Sequence, residues 1–277
     1  MAKTTLITDF DNTLYDWFHM WHQSFSPMLR EIVAISGISK EELLPEIRRV
    51  HQRHGTSEYA FLIQELPSLA RAFPGEDLSK VFDSAIHVYR SARKASLHLY
   101  AGVAETIAEL RASGVLIVLY TDSLAYYTNY RIRRLGLDGL VDFVFSPPDH
   151  DLPEGVTSHV TKEDVRLSHA KHLYLPAGVR KPNPAALLDI VRDVDRSRST
   201  CLYLGDSLKN DIAMAQDADI TDVLASYGSV QHMDEYELLR MVSHWTEADV
   251  QREKAMSQRD IKPTHVISKF SEIKQFF

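Results

Sequence analysis

One cysteine, Cys201, is all the chain has, so no intramolecular disulfide can form; its apolar neighbours Leu202, Tyr203 and Leu204 mark it as a small buried side chain rather than a reactive thiol. That usage points to a reducing, cytoplasmic setting. No apolar run approaches the roughly 18 residues of a membrane span, and the stretch from Met1 to Asp9 reaches an acid too early for the apolar region of a signal peptide. Positive charge is also short, with 31 Lys and Arg against 38 Asp and Glu and a net charge of -7. This excludes a broad footprint for nucleic acid or anionic membrane, and an anionic substrate would need a local positive site. Glycine and proline are scarce, 11 of each in 277 residues, while 44% of the chain is hydrophobic and 25% charged. Collagenous, low-complexity and disordered classes are thereby excluded, and the length suits one large domain or two smaller ones.

What is present is a series of short apolar runs that end in polar groups. Thr4 to Phe10 stops at Asp9 and Asp11, Val115 to Tyr120 runs into Thr121-Asp122-Ser123, Phe143 to Phe145 into Ser146, and Cys201 to Leu204 into Gly205-Asp206. Each reads as a buried parallel strand. Between them lie helical patterns: Val103 to Ser113 closed by Gly114, Ala125 to Leu135 closed by Gly136, and Pro184 to Val194 with proline in the first turn. Asp219 to Ala225 and His265 to Phe270 read as later strands, separated by a helical stretch from Asp234 to Gln258. The alternation predicts an α/β fold with a doubly wound, mainly parallel sheet, whose ligands bind beyond the carboxyl ends of the strands.

Residues 15–99 break the alternation. They show no clear strand and carry turn signals near Gly37, Gly55 and Pro74-Gly75, which predicts an inserted all-α domain, with residues 1–14 and 100–277 forming the α/β core. Its first helix bears Trp17, Phe18, Trp21, Phe25, Met28, Leu29 and Ile32 at helical spacing, as expected of a packing face. The link from Pro147 to Arg180 is long, with Thr161 to Lys171 as a short helix within it.

The chemistry sits at the predicted strand ends. Asp9-Phe10-Asp11-Asn12-Thr13 places two carboxylates where a strand stops, so the turn can aim both at one reacting atom. Gly205-Asp206-Ser207-Leu208-Lys209-Asn210-Asp211 adds two more, a donor set suited to Mg²⁺, which prefers oxygen ligands and takes one or two carboxylates plus a substrate phosphate oxygen. Thr121 and Ser123 offer hydroxyls and backbone N–H groups to anionic oxygens, and Lys181, in Arg180-Lys181-Pro182-Asn183-Pro184, supplies positive charge. Three histidine pairs, His19/His22, His51/His54 and His169/His172, have a spacing of three but lack the further ligands of a zinc site.

Taken in order, D-x-D-x-T at Asp9 to Thr13, the strand ending in Thr121-Asp122, the K-P pair at Lys181 and G-D-x-x-x-N-D from Gly205 resemble the haloacid dehalogenase superfamily of phosphohydrolases over nearly the whole chain. The insert after the first motif resembles the helical cap of subfamily I. The resemblance implies Mg²⁺-dependent hydrolysis of a small phosphorylated metabolite through an aspartyl-phosphate. Asp9 would attack phosphorus, and Asp11 would protonate the leaving alcohol and later activate water. Asp9, Asp206, Asp211 and the carbonyl of Asp11 would hold the metal, while Thr121, Asp122 and Lys181 would bind the phosphate. Substrate choice would fall to the cap, with Tyr15, Trp17, His19 and His22 as candidates. The acid at position 11 sets the chain apart from haloacid dehalogenases, because displacing halide needs no proton donor. A phosphomutase, or a non-catalytic phosphate-responsive binding protein, is the alternative; neither nucleic acid nor membrane is an expected partner. Asn12 stands where glycine is common, and asparagine tolerates the turn conformations required there.

Overall fold

The computed structural model describes residues 2–149, 165–176, 178–247, 249, 251 and 259–277. Contacts divide them into two units: the first draws on Met1–Asp16, His98–Ser229 and Ser257–Phe277, the second on Trp17–Leu97 and Val230–Met256.

The first unit is a seven-stranded sheet built from β1 (Thr5–Thr8), β2 (Leu116–Tyr120), β3 (Phe143–Ser146), β4 (Lys171–Tyr174), β5 (Cys201–Gly205), β6 (Thr221–Ala225) and β7 (His265–Ile267). Every pairing is parallel and the order is β4-β3-β2-β1-β5-β6-β7. All residues of β1 and β5 are buried, as expected for central strands covered on both faces. Ile7, Val118, Tyr120 and Tyr203 pack on one face against Leu187, Ile190 and Val191 of a helix at Pro184–Asp193, whose Asn183 caps it by accepting from Ala186 N at 2.9 Å. The order reverses at β1, with β2 on one side and β5 on the other, so the polar groups following these three strands meet at the topological switch point.

Two sequence expectations change here. The long link contains β4, an edge strand whose run Lys-His-Leu-Tyr is half exposed and has a single aliphatic residue, too little for an apolar signature. Lys171, expected to end a helix, begins this strand; residues 161–164 of that expected helix lie outside the described ones. His172 therefore does not face His169 across a helical turn. It is held between Ser146 Oγ and Asn129 Oδ1, each at 2.8 Å, and burial lowers it to about 4.

The second unit has helices and no strand among its described residues: α1 (Trp17–Ser36), α2 (Lys40–His54), α3 (Pro67–Ala72), α4 (Leu78–Val81), α5 (Asp83–Ser96) and a further helix at Tyr236–Val242. The α1 stripe is core, with Trp21 and Phe25 stacked at 4.8 Å. On sequence alone residues 230–256 stay with the sheet, whereas Val230, Leu239 and Val242 join the apolar cluster of α1 and α2. Two polar links add to this packing: His51 donates from Nδ1 to Val242 O at 2.7 Å, and Gln52 to Trp245 O at 2.9 Å. These partners lie 191 and 193 residues apart, beyond the reach of local pattern.

Candidate active site

Asp9 is delivered by the end of β1, where its own N–H donates to Leu204 O at 2.8 Å. The chain then turns sharply, with Asn12 at φ 58°, the left-handed conformation that asparagine tolerates. Leu14 N returns to Phe10 O at 3.0 Å, and Thr13 Oγ1 donates to Asp9 Oδ2 at 3.3 Å. Tyr227 OH braces the same turn through Thr13 O at 2.8 Å. Gly228 passes so close that a Cβ there would stand 2.0 Å from Asn12 O. Nothing in the local sequence around 226–228 signals this brace.

Lys181 bonds Asp9 Oδ1 and donates to Asp211 Oδ1 at 3.0 Å. Its ammonium lies near the faces of Tyr120 and Tyr203, at 5.1 and 5.8 Å from the ring centres. Asp211 is held in turn by Tyr203 OH at 2.9 Å and by Ser207 N at 3.0 Å. Gly205 is the residue that permits this, because a Cβ there would meet Asp211 Cγ at 2.3 Å. Cys201, Tyr203 and Gly205 share one face of β5, so the tyrosine reaches Asp211 over the space that the glycine leaves.

Thr121 is fully buried after β2, and its Oγ1 accepts from Ser123 N at 3.1 Å. Asp122 accepts from Lys181 N with both carboxylate oxygens, each at 3.2 Å. Its carboxylate thereby anchors the backbone that carries the Lys181 cation. Asp11 receives Tyr15 OH on Oδ1 and Ser123 Oγ on Oδ2, the latter at 2.6 Å, with Arg131 Nη1 3.7 Å from Oδ1. The sequence reading missed Arg131. Its signal is phase: it falls on the buried face of the helix Ala125–Arg134, with Tyr127, Thr128 and Ile132.

Of the four expected substrate-selecting residues, Tyr15 is fully buried with its hydroxyl on Asp11, a contact that ties it to the Asp9–Thr13 turn. The other three lie on α1. Trp17 donates to Glu58 Oε2 at 2.9 Å, His19 is exposed, and His22 sits half-buried by the Phe18 ring, where burial lowers its pKa.

Asp9, Asp206 and Asp211 each place a carboxylate oxygen within 4.8 Å of the others, forming a grouping of metal-capable side chains among the described residues that includes no histidine. This all-oxygen, anionic donor set fits a hard divalent cation. The charge balance agrees, since one ammonium faces three carboxylates. Burial pushes Asp9 up to about 8, with Lys181 opposing and Asp211 adding to the shift. Burial, then Asp211 and Asp9, raise Asp206 well above the usual range. Asp122 is raised to about 6 by burial, against the pull of Lys181. For Lys181 itself burial favours the neutral amine, but Asp211 and Asp9 outweigh it and hold the ammonium charged.

A pH dependence of stability follows. Burial raises the carboxyl of folded Asp9 to about 8, from 3.8 in the unfolded chain. Between these values the folded state binds more protons, so in metal-depleted protein this contribution to stability is expected to fall as pH rises through that window. Thermal denaturation of chelator-treated protein at several pH values checks the slope, and an added divalent cation is expected to flatten it.

Comparison with known proteins agrees with this geometry. Residues 3–219 match the family model for haloacid dehalogenase-like hydrolases, and residues 178–273 match a second model of HAD-hydrolase-like proteins. A glyceraldehyde 3-phosphate phosphatase of Methanopyrus kandleri is 25% identical over 237 residues, 84% of this chain and 88% of that protein. Among solved structures, a 2-haloacid dehalogenase from Pseudomonas syringae pv. Tomato DC3000 is similar, with TM-score 0.59, 20% identity and coverage of 100% of this chain and 98% of that one. A predicted phosphoglycolate phosphatase from Haemophilus somnus 129PT is also similar, with TM-score 0.53, 17% identity and coverage of 99% and 98%.

Proposed function

The chain belongs to the haloacid dehalogenase-like hydrolases, and from that premise we propose that it hydrolyses the phosphomonoester of a small metabolite through a phosphoryl group carried on Asp9. The observation that supports this most directly is the setting of Asp9: an aspartate at the central strand end, clamped by Lys181 and Thr13, with a second aspartate two residues on. A halide-displacing enzyme has no use for that second acid, whereas an alkoxide leaving group needs a proton.

An Asp9 carboxylate oxygen forms a bond to phosphorus as the bond to the leaving oxygen breaks, and that oxygen takes a proton from Asp11. Asp11 then accepts a proton from the water that attacks phosphorus, releasing inorganic phosphate and restoring Asp9. Lys181 and Thr121 hold phosphoryl oxygens, and Asp122 steadies Lys181 through its backbone N–H. Asp9, Asp206, Asp211 and the carbonyl of Asp11 are the residues that would hold magnesium, which when bound offsets the negative charge of nucleophile and phosphate. Substrates of the phosphoglycolate, sugar-phosphate or nucleoside monophosphate type fit this chemistry, and the phosphatase relative favours a short phosphorylated carbon chain.

A phosphate-release screen over these three classes, with p-nitrophenyl phosphate as a generic probe, tests the reading. Turnover that requires magnesium is expected for at least one class. Silence across the whole panel with magnesium present would defeat it.

A further inference from the structure

The family motifs account for Asp9, Asp11, Thr121, Lys181, Asp206 and Asp211, and leave a second group of side chains unexplained. Behind the Asp11 carboxyl stand Tyr15, Ser123 and Arg131. Tyr15 is fully buried and Arg131 is 1% exposed, while Asp11 itself remains partly open. Tyr15 OH donates to Oδ1, Ser123 Oγ donates to Oδ2 at 2.6 Å, and Arg131 Nη1 donates to Ser123 Oγ at 3.3 Å while lying 3.7 Å from Oδ1. The guanidinium is flanked by aromatic rings, 5.6 Å from the centre of Tyr15 and 5.4 Å from that of Tyr127. Thr128, one turn before Arg131, donates to Ser123 O at 3.0 Å. Both oxygens of Asp11 are thus engaged from behind, by a tyrosine on its own turn and by a helix that also secures the serine.

A buried guanidinium is poor value as packing. Desolvation offsets much of what an ion pair returns, and a hydrophobic residue of similar volume often stabilises a core as well or better. What such a cradle does supply is direction, because hydrogen bonds to both oxygens favour one rotation of the carboxyl about its Cβ–Cγ bond.

We propose that Tyr15, Ser123 and Arg131 are positioning residues that fix the Asp11 carboxyl in the orientation from which its proton reaches the leaving oxygen. The inference rests on the phosphatase reading, in which the bond from phosphorus to the leaving oxygen breaks as that oxygen takes the proton of Asp11. In this role the three act through Asp11 and not on the substrate directly. Their loss therefore matters in proportion to how much the leaving group needs the proton. A nitrophenolate departs with little help, whereas a phenolate needs more.

The test compares kcat/KM for p-nitrophenyl phosphate and phenyl phosphate, in magnesium, for the wild type and for Asp11→Asn, Tyr15→Phe, Ser123→Ala and Arg131→Gln. Asp11→Asn is expected to lose far more on phenyl phosphate than on the nitrophenyl ester. Tyr15→Phe and Ser123→Ala keep the side-chain shape, and each is expected to lose roughly tenfold or more on phenyl phosphate, the scale of one hydrogen bond to a charged group, with a much smaller loss on the nitrophenyl ester. Arg131→Lys, which retains a cation, is expected to recover part of the discrimination lost in Arg131→Gln. Equal losses on both esters in Tyr15→Phe and Ser123→Ala, with Asp11→Asn still discriminating, would overturn the positioning role and leave the acid role of Asp11 intact. Equal losses in Asp11→Asn itself would remove the acid role and the proposal with it. Thermal denaturation of each variant separates misfolding from misplacement, and Tyr15→Phe carries the test if Arg131→Gln does not fold.

Discussion

Asp9→Asn is expected to retain less than about one part in 10⁴ of the wild-type phosphate release while keeping its fold, because the proposed bond to phosphorus forms on the carboxylate that the change removes. Asparagine has the same shape; its carbonyl oxygen in the Oδ1 position still accepts from Lys181, and its amide nitrogen then faces the Thr13 hydroxyl. The change removes one negative charge from a cluster in which a single ammonium faces three carboxylates. Metal-depleted Asp9→Asn is therefore expected to melt no lower than the wild type above neutral pH, where the wild-type carboxyl is losing its proton. Stability and activity then move apart, as expected where an active site carries strain for function. Steady-state phosphate release, paired with thermal denaturation in chelator, reads both effects. Appreciable turnover by Asp9→Asn would exclude an aspartyl-phosphate on that residue.

The second large effect is that of Lys181→Met. The ammonium bonds Asp9 and Asp211 at once, with side-chain exposures of 4% for Lys181, 9% for Asp9 and 3% for Asp211. Removing it leaves two buried carboxyl groups without their cation, and the loss of one partner from a buried ion pair costs about 3–5 kcal/mol. Activity is expected to fall by about 10³-fold, the scale for deleting a group that stabilises charge developing in the transition state. Methionine fills the volume between the Tyr120 and Tyr203 rings, so the loss reports charge rather than a cavity. The double variant Asp9→Asn with Lys181→Met is expected to recover part of the stability lost in Lys181→Met alone, since one of the stranded carboxylates is then neutral. A single variant as stable and active as the wild type would show that Lys181 has no part in balancing the site.

These effects trace back to features legible at different levels. Asp9, Asp11, Lys181, Asp206 and Asp211 were visible because each follows a recognisable strand or opens a helix, and polar residues at such ends stand out against an apolar run. Asn12 also read correctly, its left-handed φ being one that asparagine adopts. Arg131 was not seen, because arginine on a helix reads as surface charge unless its phase against the buried residues is weighed. Gly228 and Tyr227 were not seen either, because the brace they form on the Asn12–Thr13 turn joins segments more than 200 residues apart. β4 escaped notice because an edge strand covered on one side needs no apolar run.

The sequence by itself determined the parallel α/β alternation, the family, and the strand-end residues Asp9, Lys181, Asp206 and Asp211 that the fold brings together. Hydrophobic period and turn chemistry are local properties, written in a few neighbouring residues. The tertiary structure decided which side chains stand behind those residues: Tyr203 and Gly205 around Asp211, Asp122 beneath Lys181, and Tyr15, Ser123 and Arg131 around Asp11. It also assigned the helix Tyr236–Val242 to the helical unit. Such partnerships depend on burial and on distances between segments remote in the chain, and only the packed molecule brings those segments together.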